Sequence, residues 1–153
     1  MRPQSTSDGH DDSYVIIGDG IAGSSAAEVL ADQTADADIT VLTSENEPLY
    51  NRILIKEYAK GTVPEETVRI HDRTWYDERG IGLELGARVR TVETDNRAVV
   101  TEDDERYQYD KLLVATGGSP RSLPVPNADA DGITSFWTIE DARQIRQQAA
   151  KAD

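Results

Sequence analysis

Three glycines at G-x-G-x-x-G spacing, Gly18, Gly20 and Gly23, break the apolar run Tyr14-Val-Ile-Ile-Gly18-Asp-Gly20-Ile-Ala-Gly23. The chemistry such a pattern performs is the binding of a diphosphate. Gly18 permits a tight turn out of a strand, Gly20 lets a pyrophosphate approach bare backbone, and Gly23 lets helix and strand pack closely. The helix that follows offers unpaired N–H groups and a partial positive charge to the phosphates. An acid about 20 positions later completes the fingerprint by accepting hydrogen bonds from ribose hydroxyls. Glu45 fits that spacing, with Ser44 nearer the preceding strand. Glu45 also fits an ordinary solvated loop charge. A second glycine-bearing strand end lies at Lys111-Leu-Leu-Val-Ala-Thr116-Gly117-Gly118-Ser119-Pro120-Arg121. Gly117 and Gly118 let backbone come close to something flat or anionic, Pro120 ends the ladder and Arg121 supplies a cation.

Other chemistries are excluded. The chain has no cysteine, so it carries no disulfide framework, thiolate metal site, redox-active pair or thiol nucleophile. Its two histidines, His10 and His71, lie far apart with no metal-ligand spacing, and no metal site is expected. Sixteen basic against 29 acidic residues give a formal net charge of -13, which repels nucleic acid and anionic lipid. The acidity reads either as solubility or as adaptation to high salt, where acidic surfaces stay hydrated and self-repulsion is screened. No run approaches the ~20 apolar residues of a membrane span. The polar start, Met1 to Ser13, lacks an apolar signal core. A cytoplasmic protein with a loose acidic tail over 1–12 is the expectation.

The elements that must position these residues follow from periodicity. Tyr14–Ile17 reads as a buried strand, and Ser24–Ala31 as a helix with Ala26, Ala27 and Leu30 facing a sheet. After a polar loop over Thr34–Asp38, Ile39–Leu42 completes a βαβ unit. Asn51 is placed to cap a helix over Arg52–Lys60 with Gly61 as its stop, and a short helix over Thr74–Arg79 closes at Gly80. Trp75 and Tyr76 in it read as packing residues. From Gly82 the pattern turns extended. Leu83, Leu85, Val89 and Val92 alternate with polar residues, and turns at Asp95-Asn96 and Asp103-Asp104 flank Ala98–Thr101 and precede Tyr107–Tyr109. This predicts a meander of short antiparallel strands inserted in an α/β fold. Leu123-Pro-Val-Pro126 reads as an extended connector, and Thr138–Ala150 as a helix capped by Thr138 with Asp141 three residues on. At 153 residues the chain is about one domain long.

Taken in order, Gly18-x-Gly20-x-x-Gly23, Ile39-Thr-Val-Leu-Thr-Ser-Glu45, Tyr50-Asn51-Arg52 and Ala115-Thr-Gly117-x-x-Pro120 resemble the pyridine nucleotide-disulfide oxidoreductase superfamily. Within it, they are most similar to the FAD-dependent, NAD(P)H-oxidising reductases of ferredoxin, rubredoxin and nitrite type. The resemblance runs from Ser13 onward. It implies an α/β, Rossmann-like FAD-binding domain with a central parallel sheet and a small antiparallel meander. It further implies that Gly18, Gly20, Ile21, Ala22 and Gly23 hold the FAD pyrophosphate, and that Glu45, or Ser44 in its stead, takes the adenosine ribose. Arg52 would approach the pyrophosphate or flavin side, Val89 would present backbone to the adenine, and Ala115, Thr116 and Gly117 would line the cofactor. As a cation at a helix start, Arg52 also fits a solvated or carboxylate-paired role, for instance with Glu47.

Three departures limit the carry-over. Where the family places a flavin-side lysine five residues after the arginine, this chain has Glu57, with Lys56 one position earlier and ~100° around a helix. The redox cysteines of the disulfide-reducing branches are missing. The sequence also carries one glycine fingerprint where the family carries two, so the second, NAD-binding Rossmann unit is lacking. The expected organisation is a tail over 1–12, a partial FAD-binding domain over 13–126, and over 127–153 a connector and helix leading toward an absent NAD(P)-binding domain. The expected function is the FAD-binding portion of an NAD(P)H-dependent oxidoreductase, not active alone. NAD(P)H would be reached through a missing domain or a companion chain, with a homo-oligomer as the other association. A non-catalytic nucleotide-binding remnant or regulatory subunit is the alternative, and a NAD-binding dehydrogenase domain a third reading.

Overall fold

A computed structural model describes residues 12–34 and 37–151. The expected tail and His10 therefore lie outside the described residues, apart from Asp12. Contacts divide the chain into two compact units: residues up to Pro48 with Arg73–Thr116, and Leu49–Asp72 with Gly117 onward.

The first unit is built on a four-stranded parallel sheet. Its strands are β1 (Ser13–Ile17), β2 (Asp38–Leu42), β3 (Ile81–Glu84) and β7 (Lys111–Val114), in the order β3-β2-β1-β7. Strand alternation sorts the sheet's side chains onto two faces. Ile16, Ile39, Val41, Ile81 and Leu83 lie on one, against Ala27 of helix α1 (Ile21–Gln33) and Tyr76 of helix α3 (Arg73–Asp77). Val15, Ile17 and Leu42 lie on the other, with Val99. Val99 belongs to an antiparallel sheet of β4 (Val89–Glu93), β5 (Ala98–Thr101) and β6 (Arg106–Gln108), with β5 in the middle and buried throughout. The meander is thus real but smaller than its sequence pattern. Leu83, read as its first strand, sits in β3, which pairs in parallel with β2 from Ile39↔Ile81 to Leu42↔Glu84. The buried–exposed alternation of Ile81-Gly-Leu-Glu suits either sheet, and only tertiary pairing decides between them. Strand β7 ends at Val114, before Pro120 is reached.

Helix α1 starts three residues earlier than its apolar periodicity indicates. Gly20, in extended backbone, is its N-cap, and Gly23 is already helical. α3 likewise ends at Asp77, and a turn through Glu78 and Arg79 leads to Gly80, whose φ of +67° suits glycine.

The second unit holds helix α2 (Ile55–Ala59), a 3-10 turn at Glu65–Thr67 and helix α4 (Ile139–Ala149). Tyr50, Ile55, Val68, Ile139 and Ala142 form its core. The Asn51 side chain accepts from the N–H groups of Ile53 and Leu54, but it caps a turn, and α2 begins only at Ile55. α4 carries a complete capping box: Thr138 Oγ1 accepts from the Asp141 N–H, and the Asp141 carboxylate accepts from the Thr138 N–H. Between Gly118 and Trp137 the chain has no regular element and is largely exposed. Among the described residues no helix is long and apolar enough to cross a membrane.

Candidate functional site

The glycine turn lies where β1 hands over to α1, at the carboxyl end of the central strand. The chain runs from β1 to β2 on one side, while β7 flanks the other. Ligands of open α/β sheets bind outside the carboxyl ends of strands at such a reversal. The three glycines are there for different reasons. Gly18 has φ +109°, and a Cβ on it would lie 2.3 Å from the Ala115 carbonyl oxygen at the end of β7. A Cβ on Gly23 would lie 1.9 Å from the Gly18 carbonyl oxygen. Both positions are closed by the protein's own backbone. Gly20 is the opposite case: a Cβ there meets nothing within 4 Å, and its φ of -89° and ψ of -177° are open to any residue. The fold does not need a glycine at that position, whereas a ligand seated against the backbone would.

Helix α1 presents its N-terminus uncapped. Its N-cap, Gly20, has no side chain to cap it and its first turn holds no acidic residue, while Ile21 and Ala22 are exposed. A 13-residue helix with a bare N-terminus has N–H groups ready to donate to phosphate oxygens. Ser24, in the same turn, is buried with no hydrogen-bond partner for its Oγ among the described residues.

The ribose candidates sit at the end of β2. Ser44 is exposed and Glu45 half-buried on a loop tied to the last residue of β3 and to the segment after it. The Thr43 N–H donates to the Glu84 carbonyl at 3.0 Å, and the Gly86 N–H to the Glu45 carbonyl, also at 3.0 Å. A Cβ on Gly86 would come 2.9 Å from Asn46 Oδ1, so this crossing is close as well. Val89 follows in β4, with its side chain packed against the core and opposite Thr101 of β5 in the antiparallel register. At the end of β7 the Ala115 N–H donates to the Ile17 carbonyl at 2.8 Å, and Thr116 is exposed. Gly18, Gly20, Ile21, Ala22, Gly23, Ser44, Glu45, Val89, Ala115 and Thr116 thus belong to one unit, gathered around strand ends and the loops that leave them.

Arg52 and Gly117 belong to the second unit. Arg52 Nη1 donates to Tyr50 Oη and to the Trp137 carbonyl, each at 3.0 Å, and its guanidinium lies 5.1 Å and 5.6 Å from the two ring centroids. The cation is held in place by aromatic faces. Gly117 has φ +67°. Glu57 turns toward Thr62 and Lys60, whose hydrogen bonds lower its pKa, and the neighbouring Lys56 is exposed.

One pair escaped the sequence reading. Asp19, inside the glycine turn, accepts from the hydroxyl of Tyr76, which lies 2.8 Å and 2.9 Å from its two carboxylate oxygens. Tyr76 itself is fully buried. The available signal was a charged residue at the centre of an otherwise glycine and apolar turn.

The model of the pyridine nucleotide-disulphide oxidoreductase family matches residues 12–153. The assimilatory nitrate reductase electron transfer subunit of Bacillus subtilis is 38% identical over 88% of this chain, which spans 18% of that protein. The ferredoxin–NAD(+) reductase component of the biphenyl dioxygenase system of Paraburkholderia xenovorans is 32% identical over 89% of this chain, which spans 33% of it. The crystal structure of NADH:rubredoxin oxidoreductase from Clostridium acetobutylicum superposes with a TM-score of 0.81 at 27% identity, covering 93% of this chain and 36% of that one. The chain therefore spans a third or less of these two curated relatives. With the strand-end glycines, the uncapped α1 and a family match along nearly the whole sequence, the chain belongs to the pyridine nucleotide-disulphide oxidoreductase family.

Proposed function

We propose that this chain binds FAD and forms the FAD-binding portion, within residues 13–126, of an NAD(P)H-dependent flavin oxidoreductase that passes electrons to an external acceptor. The observation that carries the reading is Gly20, a position left open by the protein at the uncapped start of α1, between two glycines that the fold itself requires. In this reading the N–H groups at Ile21, Ala22 and Gly23 receive the pyrophosphate. Ser44 or Glu45 takes the adenosine ribose, and the backbone near Val89 borders the adenine. Ala115 and Thr116 line the cofactor. Bound FAD supplies a two-electron carrier that releases electrons singly or in pairs. The chain's own residues bind and orient it. With no cysteine in these 153 residues, they contribute no thiol to the chemistry.

The relatives named above, a ferredoxin–NAD(+) reductase component and an NADH:rubredoxin oxidoreductase, favour a small redox protein as acceptor and a nicotinamide cofactor as donor. The donor would be reached through a further domain or a companion chain, since these 153 residues carry one glycine fingerprint. Titration with FAD is expected to quench flavin fluorescence and raise the thermal midpoint. An absence of both effects overturns the reading. NAD(P)H is expected to bleach the bound flavin only after a chain carrying a second fingerprint is added. Rapid bleaching without it would refute the division of labour.

A further inference from the structure

A carboxylate is an unexpected neighbour for a diphosphate. Asp19 stands between Gly18 and Gly20, one residue before the N-cap of α1. Two forces make it a hazard there. Its charge repels the phosphates, and a carboxylate beside a helix start is itself a preferred acceptor for the helix's open N–H groups. The flanking glycines add backbone freedom that would let it reach them. Yet among the described residues no side chain caps α1. The Asp19 carboxylate is directed instead to the hydroxyl of Tyr76, at 2.8 Å and 2.9 Å.

Tyr76 is well fixed for this task. It has no exposed surface, and it packs in the cluster of Ile16, Ala27, Ile39, Val41, Ile81 and Leu83. Trp75 meets its ring edge-on at 4.8 Å. A carboxylate bonded to a hydroxyl at that depth is turned toward the protein, whereas the space beside Gly20 is open. We infer that Tyr76 is a positioning residue for the phosphate turn: its hydroxyl holds the Asp19 carboxylate away from the α1 N-terminus and so keeps that terminus open to an anionic ligand. The inference rests on the reading that this terminus receives a diphosphate.

Binding of ADP, FAD and uncharged adenosine to the wild-type protein, Tyr76→Phe, Asp19→Asn and the double variant tests it. Tyr76→Phe is expected to weaken ADP and FAD about tenfold at low ionic strength, with less loss at high salt, and to leave adenosine unchanged. Asp19→Asn, which leaves the buried tyrosine in place, is expected to bind ADP at least as well as the wild type. Asp19→Asn combined with Tyr76→Phe is expected to recover most of the loss. The inference is overturned by wild-type ADP affinity in Tyr76→Phe, by a parallel loss of adenosine, by a double variant as weak as Tyr76→Phe, or by an Asp19→Asn protein that binds ADP more weakly. A wild-type protein that binds neither ADP nor FAD would overturn the proposed function itself, and this inference with it.

Discussion

Gly18, Gly20 and Gly23 look alike in the sequence and differ in what they do. Their spacing announces a phosphate turn, but only the backbone distances separate the glycines the fold needs from the one left for a ligand. A methyl group at Gly23 would collide with a carbonyl oxygen, so Gly23→Ala is expected to cost about 2 kcal/mol or more, read from chemical denaturation. Gly20→Ala adds a methyl group into open space with an allowed backbone. It should leave the denaturation midpoint close to wild type while abolishing most FAD affinity. A Gly20→Ala protein that binds FAD normally would count against a phosphate seated on that backbone. Asp19 and Tyr76 could not be paired from the sequence, because they lie 57 residues apart and meet only once α3 packs on the sheet. In the sequence Tyr76 reads as a packing residue, which its ring is, while the role of its hydroxyl depends on a partner that only the fold supplies.

Among the elements, those with local signals were the most legible. The capping box of α4 is written in four consecutive residues, Thr138 to Asp141, and Thr138→Ala should cost about 1 kcal/mol in a denaturation experiment. What holds α4 within its unit was not legible. Glu65, in the 3-10 turn, accepts from Arg143 Nε at 3.1 Å and Nη2 at 2.5 Å, from Tyr58 Oη at 2.9 Å and from Arg69 Nη2 at 2.8 Å. Arg143 stands 78 residues away in sequence. These donors, Arg143 foremost, stabilise the carboxylate and hold its pKa at about 2 against an ordinary value of 4.5. A depressed folded-state pKa contributes stability above the unfolded value, and that contribution is lost as pH falls toward the folded one. Comparison of the wild type with Glu65→Gln should therefore show a stability gap that is constant above about pH 5.5 and closes between 4.5 and 2. A gap unchanged at pH 2.5 would show that the charge of Glu65 is not what matters. The misassigned β3 belongs to this scale too. Four residues of alternating burial specify a strand, but not the neighbour it joins.

Across the whole molecule, the net charge of -13 sets the balance of long-range forces. Several ion pairs that offset it locally are exposed, such as Arg90–Asp104 and Arg88–Glu102, and exposed pairs contribute little. Self-repulsion among the acids is therefore expected to dominate the salt response, and the thermal midpoint should rise between about 0.1 M and 1 M KCl as the screening length shortens from ~10 Å to ~3 Å. A midpoint that falls or stays flat would show that the acidic surface carries no such penalty. The topology also has a consequence in time. β1 is flanked by β2 and β7, with Tyr14 opposite Ile39 on one side and Lys111, 97 residues further along, on the other. At a synthesis rate of roughly 5–20 residues per second, the second flank of β1 waits on the order of 5–20 s for its partner after Tyr14 is made. During that interval a strand of Val15, Ile16 and Ile17 presents an unpaired edge to the cell, so slowing elongation between codons 40 and 110 should lower the yield of folded protein more than slowing it after codon 120.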